Sequence, residues 1–159
     1  DYILRGHACV FSIAGSGPMY DVLARLVKKL KLDHCIYFLG QLNQSELFAL
    51  YESHDILLFP SLHDAGPNVI LEAMSYAMPV ICLDLGGPKY FVDETCGVVV
   101  EAKSLSEDAL VVKLAEAICK ISLDDHLHAD LCEGAKARVG FLSWENQVGR
   151  VVSLVERFA

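Results

Sequence analysis

Short, uniformly apolar runs alternate along this chain with longer segments in which apolar residues recur at helical spacing. The runs lie at residues 8–14, 35–39, 55–59, 79–83 and 97–100. Because they are continuously apolar rather than alternating, they predict strands of a parallel sheet that is covered on both faces. The alternation of strands and helices predicts right-handed crossovers and a doubly wound α/β fold with helices on both faces of the sheet.

Capping residues mark where several of the helices begin. Asn43, followed by a glutamate three residues later, has the pattern of a capping box. Pro67 is expected at the first helical position of a helix that runs to about Tyr76, because its missing N–H is not needed there. Ser106 and Ser143 are placed to cap two further helices, and one more helix is expected between those two.

The composition excludes several classes of protein. The 159 residues fit one domain, expected to span 1–159, and contents of 53% apolar and 21% charged residues are those of a globular chain. With a net charge of −8 and no marked run of Lys or Arg, no nucleic-acid partner is expected. No apolar stretch approaches the roughly 20 residues of a transmembrane segment. Six scattered cysteines without a Cys-x-x-Cys pair favour buried, reduced thiols in a cytosolic protein.

The helix predicted after Pro67 carries an unusual polar stripe. On a helical wheel, Asn68, Glu72 and Ser75 share one narrow face. The other positions are apolar, namely Val69, Ile70, Leu71, Ala73, Met74 and Ala77. Glu72 is therefore the one carboxylate of a strongly apolar helix, aligned with Asn68 one turn nearer the N-terminus.

Immediately before this helix lie His63, Asp64 and Gly66. Free N–H groups at a helix start attract phosphate, and a glycine lets a ligand approach the backbone closely. Glu72, one turn further in, could accept hydrogen bonds from two adjacent hydroxyls of a ribose. The alternative is a solvated helix face with Asp64 as an ordinary loop residue, and the residues alone leave both interpretations open.

Residues 60–74 resemble the signature of the retaining glycosyltransferases of GT-B fold, in the group 1 glycosyl transferase family. In that signature seven residues separate two acidic ones, here Asp64 and Glu72, and Ala-Met follows the second. Further segments match in the family's order, at residues 14–18, 38–40, 55–61, 79–81, 86–88 and 141–145. The resemblance extends over residues 11–152, which is nearly the whole chain.

The resemblance implies that this chain is the C-terminal, Rossmann-like, nucleotide-sugar-binding domain of a GT-B enzyme. Such an enzyme transfers a sugar, with retention of anomeric configuration, from a UDP- or GDP-sugar to a glycan or lipid acceptor. Glu72 would bind the ribose hydroxyls, and Asp64, the catalytic candidate, would face the donor sugar or the reacting centre. The other donor-binding residues implied are His63, Ala65, Gly66, Pro67, Asn68, Val69, Gly15, Gly17, Gly40 and Leu42.

The same resemblance implies that no metal or other cofactor is needed, because a helix dipole and basic side chains stabilise the leaving diphosphate. The family's N-terminal acceptor domain, and the strand and Arg- and Lys-bearing loop that begin its donor domain, have no counterpart here. The chain alone is therefore expected to be inactive. The whole enzyme is expected in the cytoplasm, with peripheral membrane association where the acceptor is a lipid.

The sequence departs from the family's pattern at three positions. Asp64 stands where Glu is more common and would reach about 1.5 Å less. Ala77 replaces a common glycine before the fourth predicted strand. Tyr90 stands where many members have Glu, so a contact made by that Glu is not expected here.

The alternative function is a non-catalytic nucleotide-binding or interaction module that has kept the fold. The glycine turn at 15–18 lacks the third glycine of a dinucleotide fingerprint, because Tyr20 occupies its place. His126 and His128, with aspartates nearby, favour an exposed polar patch over a metal site, because alternate residues of a helix face different ways. His63 is explained equally well by a structural hydrogen bond in its loop.

Overall fold

The computed structural model describes residues 2–3 and 6–158, in which short parallel strands alternate with helices. In chain order the elements are β1 Phe11–Ala14, α1 Tyr20–Lys29, β2 Ile36–Gly40, α2 Gln44–Ser53, β3 Leu57–Phe59, α3 Asn68–Ser75, β4 Val80–Leu83, α4 Pro88–Phe91, β5 Gly97–Val100, α5 Glu107–Ser122, α6 Asp125–Phe141 and α7 Trp144–Glu156. The chain divides into two compact units, Asp1–Glu52 and Ser53–Ala159.

In the first unit β1 and β2 pair in parallel, with Phe11 opposite Ile36. The capping box predicted at the start of α2 is confirmed. The Asn43 side-chain oxygen accepts the Glu46 backbone N–H at 3.0 Å, and a Glu46 carboxylate oxygen accepts the Asn43 N–H at 2.8 Å. Each residue thus satisfies a donor that the first turn of a helix leaves without an intrahelical partner.

In the second unit β3, β4 and β5 form a parallel sheet in that order, with Val80 opposite both Leu57 and Gly97. All four residues of the central strand β4 are fully buried, as expected for a parallel strand covered on both faces. Gly97 is required at this position because a Cβ there would lie 1.9 Å from the carbonyl oxygen of Val80.

The core of the second unit brings together side chains from α3, β4, α6 and the segment between α4 and β5. Its buried members are Ile70, Met74, Val80, Cys82, Val92, Cys96 and Ala135. Helix α3 faces this core with Ile70, Ala73 and Met74, as the apolar arc predicted. The cysteines were expected to be buried; Cys35, Cys82 and Cys96 are, whereas Cys9, Cys119 and Cys132 are only half-buried.

The predicted strand at 97–100 is confirmed with its bounds, whereas the strands predicted at 8–14 and 55–59 begin later, at Phe11 and Leu57. The prediction of Pro67 at the first helical position is wrong by one residue. Its ψ of 107° is extended, so Pro67 is the N-cap and Asn68 begins α3. The short helix α4 was not predicted; only a tight loop was expected at Gly86.

Ser106 and Ser143 cap α5 and α7 as predicted, accepting the backbone N–H groups of Ala109 and Asn146. The described strands pair as two parallel sheets, where the apolar runs predicted one. Within residues 2–3 and 6–158, no helix is both long and apolar enough to cross a lipid bilayer.

Candidate functional site

The segment between β3 and α3, here called the 61–67 loop, leaves the carboxyl end of a parallel strand. In open α/β sheets, ligands bind beyond the carboxyl ends of the strands. Pro67 closes the loop and is buried, whereas His63, Ala65 and Gly66 are exposed and Asp64 is half-buried. The loop thus presents several of the predicted site residues at the edge where a ligand is expected.

Asp64 orders the loop from within. Its Oδ1 accepts the backbone N–H of Gly66 at 3.1 Å, which is the hydrogen bond of an Asx turn. Its backbone carbonyl accepts the N–H of Gly87 at 2.7 Å. The side chain therefore stabilises a local turn, while the main chain is tied to the loop that follows β4.

The loop after β4 packs backbone to backbone against the 61–67 loop. A Cβ on Gly87 would lie 2.0 Å from the carbonyl oxygen of Ala65, and one on Gly86 would lie 2.4 Å from that of Asp64. Gly86 also has a φ of 63°, which side chains other than glycine rarely adopt. The sequence pattern indicated a tight loop here, but it did not indicate that this loop supports the candidate site.

Helix α4 continues this support. It begins with Pro88 after the N-cap Gly87, and it places the Phe91 ring against Gly66, with Cζ 4.0 Å from where a Gly66 Cβ would be. Arg138 of α6 holds the other end of α4. Its Nε donates to the carbonyl of Phe91 at 3.0 Å, and its Nη2 donates to the carbonyl of Tyr90 at 3.0 Å.

The third nitrogen of the same guanidinium, Nη1, lies 3.2 Å from Oδ2 of Asp93. Burial opposes ionisation of the Asp93 carboxyl, but hydrogen bonds from Thr95 and the charge of Arg138 outweigh it and hold its pKa below the usual value. Arg138 thus has an acceptor for each of its three nitrogens. This residue was not predicted, because its role depends on contacts with residues more than 40 positions away.

Helix α3 carries the second acidic candidate. Glu72 is half-buried, one turn beyond the exposed Asn68, as the polar stripe predicted. The Ser75 hydroxyl donates to the backbone carbonyl of Glu72 at 2.6 Å, so the Ser75 side chain is bound to the helix backbone. Glu72 thus lies in the second turn of α3, and Val69, half-buried, lies in the first.

The remaining candidates lie in the first unit. Gly15 and Gly40 meet where β1 and β2 end, since the Gly15 N–H donates to the Gly40 carbonyl at 2.7 Å. Both have a positive φ, of 113° and 68°. Gly17 is exposed and Leu42 is half-buried. The structure therefore brings together Gly15 and Gly40, two of the donor-binding residues that the family resemblance implies.

One of the aspartates near His126 has a structural role. Asp124 is the N-cap of α6 and its Oδ1 accepts the Leu127 N–H at 3.0 Å. His126 is exposed, and Nε2 of His128 lies 3.0 Å from the carbonyl oxygen of Asp55. Among the described residues, no group of three or more His, Cys, Asp or Glu side chains is arranged to hold a metal ion.

Comparison with known families decides which fold family this geometry belongs to. The family model described as glycosyl transferases group 1 matches residues 3–138. The chain belongs to the group 1 glycosyl transferases. The family resemblance expected from residues 60–74 is thereby confirmed, while the roles of the individual acidic residues remain predictions.

Curated relatives of this group 1 glycosyl transferase are longer proteins. An uncharacterized glycosyltransferase of Methanocaldococcus jannaschii is 40% identical over 85 residues, which are 54% of this chain and 22% of that protein. The D-inositol 3-phosphate glycosyltransferase of Corynebacterium jeikeium is 28% identical over 149 residues, 93% of this chain and 34% of that protein. The chain thus spans about a third or less of the length of these two relatives.

A solved structure of similar fold is the pneumococcal O-GlcNAc transferase GtfA, in complex with UDP and GlcNAc. It matches with a TM-score of 0.78 at 20% identity, covering 93% of this chain and 29% of that one. This group 1 glycosyl transferase therefore has the α/β, Rossmann-like fold of the GT-B glycosyltransferases, as its alternating strands and helices predicted.

Proposed function

We propose that this chain is the nucleotide-sugar-binding domain of a glycosyltransferase that transfers a sugar with retention of anomeric configuration. The observation that carries the proposal is the position of Asp64 and Glu72, in the 61–67 loop and the helix that follows it, beyond the carboxyl end of β3. Binding of UDP and GlcNAc by a transferase of the same fold supports this type of ligand.

The start of α3 would hold the diphosphate. The first amide groups of a helix have no acceptor within the helix, and the positive end of the helix dipole favours an anion there. Gly66, with no side chain, lets a phosphate or sugar approach the backbone next to these amides. The charge that develops on the leaving diphosphate would be stabilised by these groups and by basic side chains of the whole enzyme, so no metal is required.

The two acidic side chains would bind the two sugars of the donor. The Glu72 carboxylate would accept hydrogen bonds from the adjacent hydroxyls of the ribose, and such charge-assisted bonds are stronger than neutral ones. Asp64 would face the transferred sugar, with Oδ1 held by the Gly66 N–H and Oδ2 left to accept from the donor. The remaining donor contacts of this unit would come from backbone atoms of the 61–67 loop. Gly15, Gly17, Gly40 and Leu42, in the first unit, stay predicted donor-binding residues from the family resemblance.

The acceptor would be a glycan or a lipid, bound by an N-terminal domain of the whole enzyme. We propose that the whole enzyme acts in the cytoplasm, peripherally attached to a membrane when its acceptor is a lipid. Without that domain the chain would bind the donor but would not transfer the sugar.

Calorimetric titration with UDP, GDP and their sugars tests the binding site. Replacing Glu72 by alanine should weaken binding about 10- to 100-fold, because a hydrogen bond to a charged group contributes about 1.5–3 kcal/mol. Glu133→Ala, which removes an exposed carboxylate from another helix of the same unit, should leave the affinity unchanged. If wild type and Glu72→Ala bind equally, or neither binds any nucleotide, the site assignment is wrong.

Asp64 is tested by two substitutions that separate its charge from its turn. Asn keeps an acceptor for the Gly66 N–H, so Asp64→Asn should bind UDP as wild type does but bind the UDP-sugar more weakly. Asp64→Ala removes the turn as well and should weaken both. Equal affinity of the wild type and both variants for both ligands would contradict a donor-facing role.

An activity assay of the full-length protein distinguishes a transferase from the alternative, a non-catalytic module. A transferase should release UDP or GDP from its donor when the acceptor domain is present. Binding without any turnover would favour the module.

A further inference from the structure

Helix α4 is too short to hold its own position. It spans four residues, Pro88–Phe91, and an isolated helical turn is unstable because nucleation fixes several residues for a single hydrogen bond. The place of α4 in the structure must therefore be set by contacts with other segments, among them the buried Pro88 and the packing of Phe91 against the core. Both ends have such contacts, and they connect the 61–67 loop to a distant residue of α6.

At its amino end α4 touches the 61–67 loop directly. The N-cap Gly87 donates its N–H to the Asp64 carbonyl at 2.7 Å. The carbonyl oxygen of Ala65 lies so close that only a residue without a Cβ fits at position 87. Further along, the Phe91 ring lies against Gly66. Because backbone is packed on backbone, a displacement of α4 would displace the 61–67 loop with it.

At its carboxyl end α4 is held by Arg138. The carbonyls of Tyr90 and Phe91 lie in the last turn, where a helix has no further N–H groups to satisfy them and where a cation is favoured. The guanidinium donates to both at 3.0 Å and reaches Asp93 with its third nitrogen at 3.2 Å. With 22% of the Arg138 side chain exposed, these contacts are partly shielded from water.

We propose that Arg138 is a positioning residue for donor binding, which fixes the 61–67 loop through α4 without touching the donor. The inference rests on the proposed function of that loop. The planar guanidinium suits the task because it presents several N–H groups in fixed directions, and here it meets three separate acceptors. A lysine ammonium is a single point of charge and cannot meet all three in the same geometry.

The test uses the ¹⁵N-labelled chain and three variants, Arg138→Met, Arg138→Lys and the control Lys136→Met. The control removes an exposed cation from the same helix. Circular dichroism first establishes that each variant is folded. Amide hydrogen exchange then measures the protection of the Gly87 N–H, and calorimetry measures the affinity for UDP.

Arg138→Met should accelerate exchange of the Gly87 amide and weaken UDP binding about tenfold, within the range of coupling carried by packed networks. Arg138→Lys should recover part of both effects, and Lys136→Met should change neither. If Arg138→Met does not fold, the comparison rests on Arg138→Lys. In that variant the Gly87 amide should exchange faster than in wild type, and UDP should bind more weakly than to wild type.

The outcomes separate the two proposals. If wild type binds UDP and the Arg138 variants bind it equally well with unchanged Gly87 exchange, the positioning role is overturned and the proposed function stands. If wild type binds neither UDP nor GDP, the proposed function fails, and the role of Arg138 in donor binding fails with it. Faster Gly87 exchange together with weaker binding in Arg138→Met, and not in Lys136→Met, supports the positioning role.

Discussion

Replacing Gly87 by alanine should separate the 61–67 loop from α4 without straining residue 87 itself. Gly87 has φ −77° and ψ −33°, a conformation that alanine adopts readily. The added Cβ, however, would lie 2.0 Å from the carbonyl oxygen of Ala65 and 2.5 Å from its carbonyl carbon. Ordinary contact begins near 3.4 Å, so the two backbones must move apart by more than about 1 Å.

The expected loss of stability follows from these contacts. A separation of this size breaks the 2.7 Å hydrogen bond from the Gly87 N–H to the Asp64 carbonyl, which contributes about 1 kcal/mol. Overpacking adds about 1–3 kcal/mol, so the free energy of unfolding should fall by about 2–4 kcal/mol. For a chain of this size that corresponds to a Tm lower by about 5–15 °C.

Thermal unfolding followed by circular dichroism, together with calorimetric titration of UDP, measures both consequences. Gly149→Ala is the matched control, because no described atom lies within 4 Å of the Cβ it would add in the middle of α7. It should stabilise the chain by about 0.5–1 kcal/mol through helix propensity. A Gly87→Ala chain with the wild-type Tm and wild-type affinity would refute the close contact between the two loops.

Three further predictions concern other parts of the chain. Asp93→Asn should lower the Tm at pH 7, and the Tm difference from wild type should shrink below pH 3.8. Hydrogen bonds from Thr95 keep the pKa of Asp93 in the folded chain below 3.8, so its stabilising effect is lost as the carboxylate is protonated. Melting curves of both chains from pH 7 to pH 3 measure this difference. Cys82 should resist iodoacetamide at pH 8 in the folded chain but react in denaturant, as mass spectrometry would detect, because burial raises its pKa to about 12. Asn43→Ala should destabilise the chain by about 1 kcal/mol, measured by urea unfolding, because it removes the cap of the Glu46 N–H.

The parts of the fold that were predictable from the sequence are those decided by neighbouring residues. The capping box at Asn43 and the Ser106 and Ser143 caps each depend on residues three positions apart. The strand at 97–100 was predicted because its residues are continuously apolar, and the buried face of α3 because its apolar residues follow the helical period. In each case local chemistry and tertiary packing favour the same structure.

The features that were missed depend on contacts between distant segments. Helix α4 has four residues, and Arg138, 48 positions beyond Tyr90, holds its carboxyl end. No local sequence pattern predicts such a helix, because its stability comes from contacts with distant parts of the chain. The error at Pro67 is of the opposite kind. Proline is common at the first helical position, but the extended ψ of 107° at Pro67 makes it the N-cap instead.

The residues assigned to the candidate site stay predictions, whereas the contacts that hold its loop are visible only in the structure. Glu72 stands out as the one carboxylate of an apolar helix, and the family resemblance implies the donor-binding roles of both Asp64 and Glu72. The glycines that hold the loop carry no functional group and were interpreted only as a turn. Glycine is necessary at position 87 because a Cβ there would lie 2.0 Å from the carbonyl oxygen of Ala65. This close approach exists only in the folded chain.

The same geometry gives a physical reason for an aspartate at position 64, where the family resemblance implies that glutamate is more common. The Asx turn requires a carboxylate oxygen that reaches the N–H two residues on, and the short aspartate side chain places Oδ1 3.1 Å from the Gly66 nitrogen. Glutamate has one more methylene and does not form this turn. Aspartate therefore gives up about 1.5 Å of reach toward a ligand and gains a loop ordered by its own side chain. The backbone fixed in this way is the one that Gly87 and Phe91 hold from the side of α4.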